Sequence, residues 1–151
     1  MRAVRICDDE FKIAMQIATS VWYPAYIQVW SAIETTLLNS PDTQILELPA
    51  NLPFQDILFD YESSVKPTPF KFAIYHDSNR DLWTYTAINI HPGTFRIRCN
   101  MPASWCGKRD SELCQITQIP ECIFIHHTGF KGANRTYKGI LSMVNSALRA
   151  V

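Results

Sequence analysis

The chain has 151 residues and a mass of 17.3 kDa, with 47% apolar and 19% charged side chains, which excludes disorder as its main state and fits one folded domain. Formal net charge is zero, but residues 1–93 hold 6 basic and 11 acidic side chains while residues 94–151 hold 8 and 3. The basic C-terminal part suits an anionic partner, unless the two halves intermix on one surface.

The opening residues, MRAVRICDDE, carry no long apolar stretch, so no signal or transit peptide is expected. From residue 8 to 38 apolar residues recur at helical spacing: Phe11, Ala14, Ala18, Val21, Trp22 and Ala25, then Val29, Ile33 and Leu37. Asp8 or Asp9 can cap the start. Pro24 removes one intrahelical donor, which predicts a kink or two helices. Asn39-Ser40-Pro41-Asp42 is a stop. A short strand follows over residues 43–48 and a short helix over 53–61. Residues 70–75 and 82–90, around the polar turn 77–81, read as a hairpin. Residues 94–120 read as loop with one helix near 110–118, capped by Asp110 or Ser111. Residues 121–126 form an apolar run, the mark of a strand buried on both faces. A glycine-bearing loop, HHTGFKGANRT, spans 126–136, and a last helix runs over 136–148. The order α, β, α, β, β, α, β, α predicts an α+β domain: a single mixed sheet of about four to five strands with helices packed on it. No run of about 18 apolar residues occurs, so no membrane span is expected.

The strand–loop–helix unit at 121–148 is the best candidate for a site. Gly129 and Gly132 permit backbone angles closed to other residues. The free N–H groups at a helix start favour an anion, and Lys131, Arg135 and Lys138 cluster there with no acid after Glu121. Asn134 and Thr136 offer neutral hydrogen bonds. A phosphate would suit this set, whose spacing is neither a P-loop nor a dinucleotide fingerprint. The alternative is a plain connector with solvated cations. His126 and His127 point to opposite sides of an extended segment, so one at most faces the loop. Trp105 to Asp110, with Arg96 and Arg98 upstream, is a second basic feature; Trp105 reads as a core residue before it reads as a base-stacking one.

The five cysteines, at 7, 99, 106, 114 and 122, are odd in number and form no CxxC pair. They support neither a disulfide framework nor a zinc site, and they point to a reducing, intracellular compartment. No HExxH or GxSxG is present, and no complete hydrolytic site is visible.

Residues 92–136, PGTF…MPASWCGKRDSELCQITQIPECIFIHHTGFKGANRT, resemble the C-terminal part of the melanocyte-proliferating-gene family of metal-dependent hydrolases related to DHH phosphoesterases. The resemblance rests on Pro92, Phe95, Pro102, Trp105, Gly107, Arg109, Asp110 and Leu113. It continues through Ile119, Pro120, Cys122, Ile123, Phe124, His126, Gly129, Phe130, Gly132 and Thr136. The family often has Gly-Gly where this chain has Gly132-Ala133, and Cys106 and Lys108 also depart from its pattern. The resemblance implies a DHH-associated C-terminal-type fold and a single substrate-binding domain over 1–151. It places the metal motifs, for Mn or Mg, in an N-terminal catalytic domain outside this chain, with no cofactor within it. It implies a 3′-to-5′ RNA exonuclease as the parent activity, with this chain inactive alone. His126, Gly129, Lys131, Gly132, Asn134, Arg135 and Thr136 would hold RNA or another phosphate-bearing substrate, with Arg109 nearby. The partners implied are that catalytic domain and, in a second reading, another copy of the chain docked through the 8–38 helix.

Overall fold

A computed structural model describes residues 2–150. Its elements are α1 (Arg2–Ile17), a π turn (Ala18–Trp22), α2 (Tyr23–Asn39), β1 (Ile45–Glu47), α3 (Gln55–Ser64), β2 (Phe72–Asp77) and β3 (Leu82–Ala87). A 3-10 turn (Ala103–Trp105), α4 (Asp110–Thr117), β4 (Cys122–Ile125), β5 (Lys131–Asn134) and α5 (Tyr137–Arg149) complete the chain. Five strands form one mixed sheet in the order β1-β2-β3-β5-β4, with β1 parallel to β2 and the other pairs antiparallel. The α+β expectation therefore holds.

Strand alternation sorts the sheet into two faces. Phe72, Ile74, Tyr85, Ala87 and Ile125 face α4 and α5, where Leu113, Ile140, Met143 and Val144 complete one core. Ala73 and Tyr75 face the other way, into a core built with Val29, Ile33, Ile57 and Leu58 of α2 and α3. Each fully buried Ile, Leu or Phe contributes about 1.5–3 kcal/mol. Trp105 packs against the α4–α5 core, the structural role its sequence context favours.

Three details depart from the sequence expectations. The first helix starts at Arg2, so positions 8 and 9 lie inside it and not at its start. At Pro24 the run divides into two helices, as expected, joined by the π turn just upstream of the missing N–H. The Thr19 and Ser20 hydroxyls donate back to the Met15 and Gln16 carbonyls there. The second departure is β5. Residues 131–134, expected in a loop, are an interior strand between β3 and β4. Gly132 lies opposite Tyr85, and a Cβ there would sit 2.5 Å from the Tyr85 ring and 2.8 Å from the Phe124 carbonyl oxygen. The strand has no room for a side chain at that point.

The third departure concerns β4. It is an edge strand, and Ile123 and Phe124 are only half-buried, so it is not enclosed on both faces. Its free edge is covered by residues 107–109: Gly107 N donates to Ile125 O (3.0 Å), Ile125 N donates to Lys108 O (3.1 Å), and Arg109 bridges to Phe124. Such cover removes an aggregation-prone edge. α4 packs on β4 and α5 on β3 and β5, both on the first face. On the opposite face α2 and α3 cover the β1–β2 half, and among the described residues no helix covers β5 and β4 there.

The apolar stripe of residues 8–38 is buried only in its second half. Ala25, Val29, Ile33 and Leu37 are buried, whereas residues 9–24 are exposed throughout, including Phe11, Met15, Val21, Trp22 and Tyr23. From Ile13 to Ile33 the helix carries no charged residue.

Candidate functional site

The open half of the sheet is where the cations gather. Directly opposed residues share a face, and one such row runs Tyr75, Thr84, Ala133, Phe124, Arg109 across β2, β3, β5 and β4. Lys131, two residues before Ala133, shares that face, and its Nζ lies 5.7 Å from the centroid of the Tyr75 ring. The Arg109 guanidinium lies 5.8 Å from the centroid of Phe124. Both cations rest on aromatic rings and stay partly or fully exposed, a geometry that holds a charge in place without neutralising it.

Where β3, β5 and β4 meet the start of α3, the face opens into two adjoining clefts. One, of about 410 Å³, is lined by Gln55, Thr86, Asn89, Phe95, His126, Thr128 and Phe130. The other, about 310 Å³, is lined by residues 51–56 with Tyr75, Thr86, Phe130 and Lys131; Asp56 is the acid in it. Gln55 is fully used: Nε2 donates to Ala87 O (3.0 Å) and Oε1 accepts from Asn89 N (3.1 Å), tying α3 to the end of β3.

The β4–β5 turn is built to present His126. His126 N donates to Lys131 O (2.8 Å), closing the hairpin, and Gly129 N donates to His126 O (2.8 Å). Gly129 has φ +75°, and a Cβ there would lie 3.3 Å from Cys106 Sγ, so glycine is required twice over. The buried Tyr85 hydroxyl donates to Gly129 O from below (3.1 Å). Burial pushes the Tyr85 phenol well above its ordinary range, so it remains a donor. His126 Nδ1 sits 2.9 Å from Thr128 Oγ1 and accepts from Thr128 N at 3.3 Å. A backbone N–H can only donate, so the neutral ring carries its proton on Nε2.

The sequence-predicted residues separate into three groups. His126, Lys131 and Arg109 come together on or beside the open face, with Gly129 shaping the turn. Gly132 and Asn134 point to the opposite side, into the α4–α5 core. Asn134 is fully buried: Nδ2 donates to Pro120 O (2.9 Å), and Oδ1 accepts from Thr136 N (2.9 Å) and Thr136 Oγ1 (3.0 Å). The third group sits at the start of α5. Thr136 Oγ1 accepts from Gly139 N (3.0 Å) as an N-cap, and Arg135 pairs with Glu121 (3.5 Å) while its N–H donates to Glu121 O. At this helix start the Thr136 and Gly139 amides are therefore taken up by protein groups and Arg135 by Glu121, and Lys131 lies at the other end of β5. Phe95, Phe130, Asn89 and Thr86 received no role from sequence reasoning. The signal available for Phe95 was a phenylalanine in an otherwise polar turn, Pro92-Gly93-Thr94-Phe95-Arg96.

Burial raises the thiols of Cys99, Cys106 and Cys122, which makes them poor nucleophiles. Among the described residues no group of three or more His, Cys, Asp or Glu side chains is placed to hold a metal ion.

Fold and surface together define an α+β domain whose single sheet is sandwiched on one half and open on the other, where the Lys131 and Arg109 side chains lie over aromatic rings. The chain belongs to the MYG1 family: a family model described as "Uncharacterised protein family (UPF0160)" matches residues 1–148. It is 38% identical to "MYG1 protein C694.04c" of Schizosaccharomyces pombe over 84% of this chain and 38% of that protein. It is 36% identical to "MYG1 protein" of Dictyostelium discoideum (97% and 45%) and 31% identical to "MYG1 exonuclease" of Homo sapiens (97% and 39%). The chain thus spans about two fifths of the length of the curated relatives it matches. No solved structure matches it.

Proposed function

We propose that this chain is the substrate-binding domain of a metal-dependent, DHH-type phosphodiesterase, a 3′-to-5′ RNA exonuclease, whose hydrolytic step belongs to a separate N-terminal catalytic domain carrying Mn or Mg. The observation that carries this reading is the gathering of His126, Lys131 and Arg109 along the uncovered β5–β4 face, next to two clefts. The exonuclease named among its relatives supports the substrate class. Lys131 and Arg109 would hold backbone phosphates, His126 would donate from Nε2, and Gly129, Gly132, Asn134 and Thr136 would be the frame that fixes them. Arg135 would steer from the far end of β5.

The test is titration of the chain with a short single-stranded RNA at low salt. Lys131→Glu is expected to weaken binding at least about tenfold and to flatten the salt dependence, because each phosphate contact releases counterions. Arg135→Glu, on the surface and paired to Glu121, is expected to change it less than about threefold. Equal affinities for wild type and Lys131→Glu would remove the reading.

A second reading is favoured by the bare helix. A contiguous apolar helix surface is normally covered, yet Ile13, Met15, Ile17, Val21, Trp22, Tyr23 and Ile27 are all exposed. In this reading the chain is an interaction domain that docks through residues 9–27. Sedimentation of the wild type should show concentration-dependent self-association that Val21→Glu with Trp22→Glu abolishes. A monomer at every concentration would leave this surface without a second copy as its partner.

A further inference from the structure

The geometry points to the cleft under Phe95 as a nucleobase pocket, so that the ligand of this surface is a nucleotide end and not a bare phosphate. This rests on the phosphate-binding reading above and extends it to the base. Phe95 is 100% exposed, the most exposed of the large apolar side chains among the described residues. It does not hang on a slack loop. Ile90 N donates to Arg96 O (2.8 Å), Arg98 N donates to Ile88 O (2.8 Å), and Asn89 bridges to Ile97. Gly93, with φ +72°, turns the tip, and Arg96 N donates to Thr94 Oγ1 (3.1 Å). Arg98 anchors the base of this hairpin through Nε to Asn89 O (3.0 Å). A braced turn thus holds a bare aromatic ring in water, where it has no folding role.

That ring borders the 410 Å³ cleft, whose other aromatic wall is Phe130, half-exposed and seated against the His126 ring at 4.8 Å between centroids. The volume lies within the range of small-molecule sites, and two aromatic walls suit a flat heteroaromatic ring. Between them the lining is neutral and polar, Asn89, Thr86 and Thr128, which suits the edge of a base. Lys131 lies in the adjoining cleft across Phe130, on the side where the phosphate of a seated nucleotide would emerge. Stacking tolerates any base, so the pocket would recognise a nucleotide end without strong sequence preference.

The test compares two probes on the folded chain: ribose 5-phosphate and adenosine 5′-monophosphate, by titration calorimetry or amide shift changes. The pocket predicts that the nucleotide binds about tenfold or more tighter, and that Phe95→Ala erases this preference while leaving ribose 5-phosphate binding unchanged. Phe95 is fully exposed, so its removal should leave the melting temperature unaltered, which checks the fold. Equal binding of both probes, or a nucleotide preference that survives Phe95→Ala, overturns the base pocket and spares the phosphate site. Binding of neither probe overturns both.

Discussion

Arg98→Met is expected to destabilise the chain by about 3–5 kcal/mol, because it strands a buried carboxylate. Arg98 is the tie between the Phe95 hairpin and the α2–α3 side. Nη1 and Nη2 donate to Glu62 Oε1 (2.9 Å) and Oε2 (2.6 Å), Nη1 also to Phe70 O (3.0 Å), with both side chains below one-fifth exposure. Glu62 also accepts from Thr68 Oγ1. Burial pulls the Glu62 carboxyl upward, but the hydrogen bonds from Arg98 and Thr68 outweigh it and hold it below its ordinary value of 4.5. A carboxyl whose folded value is depressed contributes stability that is present above its unfolded pKa and lost as pH falls through the folded one. The wild type should therefore lose this stability below about pH 4.5, whereas in Arg98→Met the unpaired Glu62 titrates upward. Melting curves should differ by on the order of 10 °C at pH 7 and converge toward pH 4. A constant gap across that range would show that the pair is not the source.

The second large effect lies at Asn134. Asn134→Leu removes the partners of Pro120 O and the Thr136 N–H at once, each buried loss worth about 1–3 kcal/mol, so a drop of about 3 kcal/mol is expected. Gly139 explains why the site tolerates nothing else: a Cβ there would lie 2.1 Å from Asn134 Oδ1. Gly139→Ala should therefore be strongly destabilising alone and much less so beside Asn134→Ala. Denaturant titrations of the two single variants and the double variant measure this coupling. Additive losses would mean that the two residues do not share one space.

Much of the element order was legible because period and punctuation carry it. The runs 70–75 and 82–90 on either side of the polar turn 77–81 marked the hairpin, and the stripe Ile140, Leu141, Val144, Ala147 and Leu148 marked α5. β5 was not legible. Lys-Gly-Ala-Asn has no β-branched or aromatic residue, and its place in the sheet comes from Tyr85, whose ring fills the space a side chain at 132 would need. The same blindness misread Asn134, whose role depends on Pro120 and Gly139 being close in space. His126, Lys131 and Arg109 could be picked out as chemistry-bearing, but only the register of β3, β5 and β4 shows that they share a face, and only the structure shows Arg135 paired with Glu121. The stripe on α1 shows the limit from the other side: helical period identifies an apolar face, and says nothing about whether this chain covers it.

The most direct test of the account is amide chemical-shift mapping of the chain with a short single-stranded RNA at low salt. Shifts are predicted at Thr86, Asn89, Phe95, residues 126–131 and Arg109, tracing the clefts and the uncovered strand pair. Shifts confined to residues 135–138 at the start of α5, or no shifts at all, would contradict it.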